Sequence, residues 1–377
     1  MIVKVQGVFE RNKGALLMLE AIRDRLARDL PEARIAVPTS VSASYRRRHK
    51  LLGVLPEKGR KTKLLRFVPQ GLLMRRGLVL PQHVDVLLDS SGFGYGDFWG
   101  LDKLRARLLG ALKRWKQPGR VAVLLPQALG PFDAPGMKAA FAESLDLLDL
   151  AFVRDAQSMA HVEAAAPGHS RVRAAPDFTN LLHPPLKAEF ANLVGHSFVI
   201  PNEKMVSGDR GSQRSAYVRA MAIAVEAIRN SGRTVDLLVH EGAPDRELAE
   251  EINAALSKPV ELVDLPSPLD TKAAIASAEL IVSSRFHGLV SALSNAVPAL
   301  AVGWSHKYNE LMADYGAREL SVELDEEEAW RGHVAALLEA AGSPGFRATL
   351  AEAAEEQRGR SEAMWEETIT TIRSARR

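Results

Sequence analysis

The chain has 377 residues, 46% of them hydrophobic and 25% charged, which is the balance of a globular protein long enough for two domains. It has no cysteine, which excludes disulfides, thiol catalysis and thiolate metal sites and suits a reducing cytoplasm. No apolar run approaches the roughly 18 residues that span a bilayer, and the start, "MIVKVQGVFERNKGA", has no basic segment followed by an apolar one, so no secretory signal is expected.

The first strand expected is "MIVKVQGV", followed by a helix over "GALLMLEAIRDRLARDL", where apolar residues recur at threes and fours. "ARIAVP" resumes the strand period. The net charge of +3 hides an asymmetry in the stretch that follows. From Arg46 to Arg76 the chain carries eleven Lys or Arg against one acid, Glu57, mixed with Leu, Phe, Val and Met. Two readings stay open here. One is contact with an anionic membrane or a lipid-linked acidic substrate; the other is a solvated basic face over a helix–loop–helix. Sparse aromatics and the lack of a binding-fold signature argue against nucleic acid.

"VDVLLDSSG" and "VAVLLPQALG" read as buried strands, "AAFAESLDLLDL" as a helix and "LAFVRD" as another strand. After Pro184-Pro185 a second alternation begins. Its strands are "HSFVIPN", "TVDLLVHEG", "PVELVDL", "ELIVSSR" and "PALAVGW"; its helices are "SAYVRAMAIAVEAIRNSG" and "DRELAEEINAAL". Alternating strands and helices predict parallel, doubly wound α/β domains. The expected division is an N-terminal domain at 1–185, a C-terminal domain at 186–342, and a helical tail at 343–377 that packs back on the first domain.

In open α/β sheets ligands sit beyond the C-terminal ends of the strands, so the strand-to-helix corners are where chemistry belongs. The corner "SSRFHG" is the most unusual. Arg285 stands where a helix N-terminus carries partial positive charge, which disfavours a cation unless an anion shares the corner; a guanidinium could then grip carboxylate or phosphate bidentately. His287 beside it can exchange a proton near neutral pH. The alternative is an arginine paired with an internal acid and a histidine satisfied in the core.

Other corners offer further candidates. In "LLPQALGPF", Gln127 is an amide where the chain is expected to leave its sheet, able to orient a hydroxyl or simply to close a turn. In "LAFVRDAQS", Asp155 should cap the next helix through Ser158, and Arg154 could make a second anion contact. Asn12 and Gly14 lie between the first strand and first helix, where backbone amides could approach a ligand. The glycine-laced loop "DSSGFGYGDFWG" places Tyr95, Phe98 and Trp99 where an aromatic ring could stack on a sugar, and Asn202 and Lys204 follow the first strand of the second half. The ten histidines show no metal-ligand spacing, and neither a GxSxG elbow nor a Walker A lysine occurs.

The stretch "SSRFHGLVSALSNAVPALAVGWSHK" resembles the most distinctive motif of the polysaccharide pyruvyl transferase family: an arginine–x–histidine corner, a small-residue helix, a Val-Pro strand and a lysine, here Lys307. Four more landmarks follow the family's order: "NKGALLML" from Asn12, "LLPQALGPF", "VRDAQS" and the "APD" of Ala175 to Asp177. The resemblance covers residues 12–307 and implies a GT-B-like fold, two Rossmann-like domains facing across a cleft. It implies transfer of a pyruvyl group from phosphoenolpyruvate, a co-substrate, to two hydroxyls of a saccharide in surface or exopolysaccharide synthesis, with release of phosphate and no required cofactor or metal.

By the same resemblance Arg285 and His287 serve phosphoenolpyruvate. Arg154, Gln127, Asn12, Gly14, Lys307, Asn202, Lys204 and Tyr95 are the expected substrate contacts. The expected location is cytoplasmic, with residues 46–76 as a point of peripheral contact with the inner face of the membrane and a lipid-linked acceptor as one option. The aromatic loop departs from the plainer glycine run common in the family. Two rival readings stand beside this one: a GT-B glycosyltransferase using a nucleotide sugar, and a catalytically silent saccharide-binding subunit.

Overall fold

The computed structural model describes residues 1–56, 65, 67–303, 305–324 and 327–375. The chain forms two compact units. The first comprises Met1–Glu10, Met18–Phe178 and Arg360–Arg377, and the second comprises Arg11–Leu17 and Thr179–Gly359.

In the first unit the strands are β1 (Ile2–Gln6), β2 (Arg34–Pro38), β3 (Leu52–Val54), β4 (Leu78–Val79), β5 (Val86–Asp89), β6 (Phe93–Tyr95), β7 (Val121–Leu129), β8 (Leu150–Val153) and β9 (Val172–Ala174). They pair in parallel in the order β4-β3-β2-β1-β5-β7-β8-β9, with β6 alongside β7. Strands β5, β7 and β8 are buried along their whole length. A strand covered on both faces has no reason to alternate, which is why their sequences read as continuous apolar runs. The core joins these strands to Leu104, Leu108, Leu112 and Trp115 and to Phe132 and Phe141, whose rings stack at 4.1 Å.

Among the described residues the basic stretch holds a strand between its two short helices, and so departs from a plain helix–loop–helix. A short helix at Ala43–Arg48 leads into β3, and a second at Gln70–Arg75 leads into β4, so β3 runs through the stretch and the edge strand β4 lies just past it. Their two- and three-residue lengths leave no period to read in the sequence. Residues 57–64 and 66 of this stretch lie outside the described residues.

The second unit contains β10 (Ser197–Ile200), β11 (Val235–Leu238), β12 (Leu262–Val263), β13 (Ile281–Ser283), β14 (Ala299–Val302) and β15 (Ser321–Val322), in the parallel order β12-β11-β10-β13-β14-β15. Counted within the unit this is 3-2-1-4-5-6, the dinucleotide-fold order, whose direction reverses between β10 and β13. Its core includes Phe198, Tyr217, Leu237, Val282, Leu289 and Leu300 from the strands and helices, and Trp330, Leu337 and Leu350 from the helices that follow β15.

The last helix runs Pro344–Ser374. Within the first unit, Trp365 packs edge-on against Phe178 at 5.6 Å and Glu362 pairs with Arg25. The fold is thus α/β of the GT-B class, with two doubly wound parallel sheets and a C-terminal helix.

Candidate functional site

The reversal of strand order in the second unit fixes where to look. At that point the connections from β10 and β13 leave in opposite directions and open a crevice beyond the carboxyl ends of the strands. Asn202 follows β10, His240 and Glu241 follow β11, and Ser284, Arg285 and His287 follow β13.

The β13 corner is held rigidly. Ser283 Oγ accepts from the Arg285 amide at 3.0 Å, and Asn202 Nδ2 and Tyr308 Oη both donate to the Ser284 carbonyl, at 2.8 and 2.9 Å. Tyr217 Oη lies 2.8 Å from Ser284 Oγ and accepts from the Asn202 amide. Asn202 Oδ1 in turn accepts from the Lys204 amide. Asn202 is buried and braces the corner from within. The expectation that it contacts substrate is corrected to that bracing role, since its amide is turned into backbone hydrogen bonds. Lys204 itself is exposed.

Arg285 is the residue before the helix Phe286–Leu293 and is 8% exposed. Its Nη1 pairs with Glu241 and its Nη2 with Asp245, while its buried Nε has no partner. Asp245 is fully buried and also accepts from the amides of Glu203 and Glu241, each at 3.0 Å. Burial works against the charge of Arg285, but the carboxylates of Asp245 and Glu241 outweigh it and hold the guanidinium above its ordinary value. The bidentate grip on an anion expected from sequence is therefore already taken by two internal acids, as in the bland alternative. The corrected picture is a guanidinium anchored by Asp245, with Glu241 its more exposed partner and Nε still open.

His287 sits one residue into the helix, its ring edge-on to Phe286 at 5.6 Å. It explains Gly14. A Cβ built on Gly14 would lie 2.3 Å from His287 Nδ1, so only glycine lets the imidazole rest where it does. Gly14 makes room for a side chain, a different task from presenting amides to a ligand. Asn12 caps the helix Lys13–Asp29, its Oδ1 accepting from the Ala15 amide at 2.8 Å. Lys307 lies 5.6 Å from the centre of the Phe286 ring, beside the same corner.

Two residues here escaped the sequence reading. Lys13 extends its ammonium to the carbonyls of Val239 and Leu265, at 3.2 and 3.0 Å, and to Asp264 at 3.4 Å. Burial pushes its pKa down, with Asp264 opposing. His240 is 3% exposed, and its Nε2 has no partner. Burial and then the charges of Arg285, Lys13 and His287 push its pKa well below the usual value, so the imidazole is neutral at pH 7. The rule that chemistry sits at strand-to-helix corners points to His240 in "LLVHEG" as plainly as to Arg285.

The remaining candidates belong to the first unit. Arg154 follows β8, is 8% exposed, and donates from Nη1 to the buried Asp177 at 3.3 Å. Asp155 caps the helix Ala156–Ala165 through the Ser158 amide at 2.7 Å, as its spacing predicts. Gln127 is not where the chain leaves the sheet. Strand β7 continues through it to Leu129, and the side chain is fully buried, its Oε1 unpartnered.

Tyr95 is also corrected. It is 1% exposed and its hydroxyl donates to Asp89, at the end of β5, while accepting from Gln6, so its ring is not offered to a sugar. Burial and the Asp89 carboxylate push its phenol far above the usual range. The exposed rings of that loop are Phe98 and Trp99, which meet at 4.8 Å, with Lys103 over the Trp99 face.

Among the described residues no group of three or more His, Asp or Glu could hold a metal ion, and no helix is long and apolar enough to cross a membrane. The family model of polysaccharide pyruvyl transferases matches residues 12–306, from the cap of the first helix to the start of the helix His306–Asp314. The chain belongs to the polysaccharide pyruvyl transferase family. A search of curated proteins found no match.

Solved structures with the same fold include the UDP-GlcNAc 2-epimerase of Neisseria meningitidis bound to UDP-GlcNAc. It is 10% identical, covers 98% of this chain and 99% of its own, and has a TM-score of 0.57. Staphylococcus aureus MnaA with UDP is 12% identical over 96% and 94% of the two chains, at 0.58. The Methanocaldococcus jannaschii UDP-GlcNAc 2-epimerase with UDP-GlcNAc and UDP is 13% identical over 90% and 93%, at 0.56. At these identities the likeness is one of fold. As a pyruvyl transferase family member, the chain is a transferase.

Proposed function

We propose that this transferase uses phosphoenolpyruvate as donor and joins its pyruvyl carbon to two hydroxyls of a saccharide as a cyclic ketal, releasing phosphate. The observation that carries the reading is the corner where Arg285 and His287 meet Gly14 and Lys13 beside the switch point of the second unit. Two cations and two imidazoles gather there with the carboxylates of Glu241, Asp245 and Asp264, so a small polyanion is gripped by displacing an acid from its cation.

Asp245 is anchored by two backbone amides and stays with Arg285. Glu241, whose side chain is 18% exposed, gives way to the donor's carboxylate or phosphate. His287 delivers a proton to the methylene carbon, the C=C electron pair moves to that bond, and an acceptor oxygen adds to the central carbon as its own proton leaves to a base. The C–O bond to phosphate then breaks, and the second hydroxyl closes the ketal. Cationic groups near the departing phosphate offset the charge that builds on it. Arg154, Gln127, Asn12, Lys204 and Lys307 remain proposed substrate contacts; no resident cofactor is invoked.

A lipid-linked acceptor at the inner, anionic face of the cytoplasmic membrane would meet the basic stretch from Arg46 to Arg76, where Phe67 and Leu72 are exposed. The test is phosphate release from phosphoenolpyruvate across a library of glycosides, with the ketal identified by NMR. Phosphate release and a ketal resonance with one acceptor are expected. Turnover of a nucleotide sugar in place of phosphoenolpyruvate would overturn the reading, as would no phosphate release with any acceptor.

A further inference from the structure

We infer that His240 is a proton-coupled anion contact: its Nε2 meets the charged end of the donor, and the imidazole takes up a proton when the anion arrives. The inference rests on the reading that an anionic donor occupies the second unit's switch-point corner. It deepens that reading by naming a residue outside the Arg–x–His motif.

Three observations combine. His240 lies two residues beyond β11, the neighbour of β10 in the sheet, so it belongs to the corner by topology. Its Nε2 is buried with no partner, although a buried polar nitrogen ordinarily finds one. Its charged surroundings are one-sided. Arg285 from the β13 corner, Lys13 from the first helix and His287 from the helix after β13 all disfavour a charge on it. The acids nearby are already engaged, Glu241 and Asp245 with Arg285, and Asp264 with Lys13 and Arg246.

An imidazole in that position is neutral while the corner is empty. An entering phosphate or carboxylate reverses the local field, and the neutral ring becomes a cationic donor to it. As a core histidine alone His240 makes little sense, because a small apolar residue would fill the place without stranding a nitrogen.

The test is titration calorimetry near pH 7 with phosphoenolpyruvate, and separately with inorganic phosphate, in two buffers of different ionisation enthalpy. Wild type, His240→Gln and His240→Asn are compared, circular dichroism confirming that at least one variant is folded. Net proton uptake is expected in wild type and a clear loss of it in the folded variant, with affinity about tenfold weaker or more. Equal proton uptake and equal affinity in wild type and variant would overturn the assignment of His240, and so would the absence of binding by both anions. Phosphate binding with uptake that depends on His240, but no binding of phosphoenolpyruvate, would leave the contact standing and remove the proposed donor.

Discussion

The imidazole of His287 rests against the Cα of Gly14, so closely that a methyl group there would come within 2.3 Å of Nδ1. Two segments more than 270 residues apart in the chain thus share one packing constraint, and it bears on the ring proposed to move the proton. Gly14→Ala must shift that ring. The backbone at Gly14 is helical, so alanine adds no backbone strain, and up to about 1 kcal/mol of helix propensity offsets part of the roughly 1–3 kcal/mol of overpacking against the ring. The expected result is a folded protein within about 2 kcal/mol of wild type, with kcat lower by about a hundredfold. Thermal unfolding and steady-state phosphate release measure the two together; unchanged kcat would show that the position of His287 is not critical.

Arg285 cannot be truncated cleanly. Arg285→Ala leaves the buried Asp245 without its cation, and breaking such a pair costs about 3–5 kcal/mol. Arg285→Lys keeps the charge and forfeits the fork. A folded lysine variant is expected to lose at least about tenfold in kcat/KM. Activity equal to wild type would reduce Arg285 to a structural ion pair.

The two acids on Arg285 should behave differently. Asp245→Asn is expected to destabilise by about 3 kcal/mol or more, read as a lower denaturant midpoint. Glu241→Gln leaves Asp245 on the guanidinium, so it should cost less, about 1–2 kcal/mol, and should tighten phosphoenolpyruvate binding by removing a competing anion. Weaker binding in Glu241→Gln would mean that Glu241 is not displaced by the donor.

Arg154 and Asp177 form a buried pair in the first unit, and such pairs can be replaced together by apolar residues at little cost. Arg154→Met combined with Asp177→Leu is expected to unfold within about 2 kcal/mol of wild type and to lose nearly all turnover. Turnover close to wild type in that double variant would take Arg154 out of the substrate site.

His240 also gives stability a pH dependence of known sign. Its folded pKa lies well below its ordinary value near 6.5, so below that pH the unfolded chain binds the extra proton. Its contribution is fully present above about pH 6.5 and is lost as the pH falls below it. His240→Gln removes that dependence. The difference in unfolding free energy between variant and wild type should therefore shift in the variant's favour from pH 7.5 to pH 5. A constant difference would show that His240 is not held neutral by its surroundings.

Much of this was legible in the chain. Strands buried on both faces appear as apolar runs, helices as a three-and-four period, and the abrupt polar residues closing "ELIVSSRFH" mark a corner that packing alone does not require. The cap formed by Asp155 and Ser158 is local, three residues apart, and was readable for that reason. The short strands β3, β4, β6, β9 and β15, of two or three residues, carry too little pattern to be seen.

By itself the sequence determined the alternation of strands and helices, the corners where chemistry could sit and the family motif, because these depend on residues close together along the chain. Only the tertiary structure decided which acids hold Arg285, why residue 14 must lack a side chain, that Tyr95 faces Asp89 in the interior, and that His240 is stranded among cations. Each of those outcomes is set by the packing of distant segments, or by the exact turn of a loop, and burial then fixes the cost of every charge placed there.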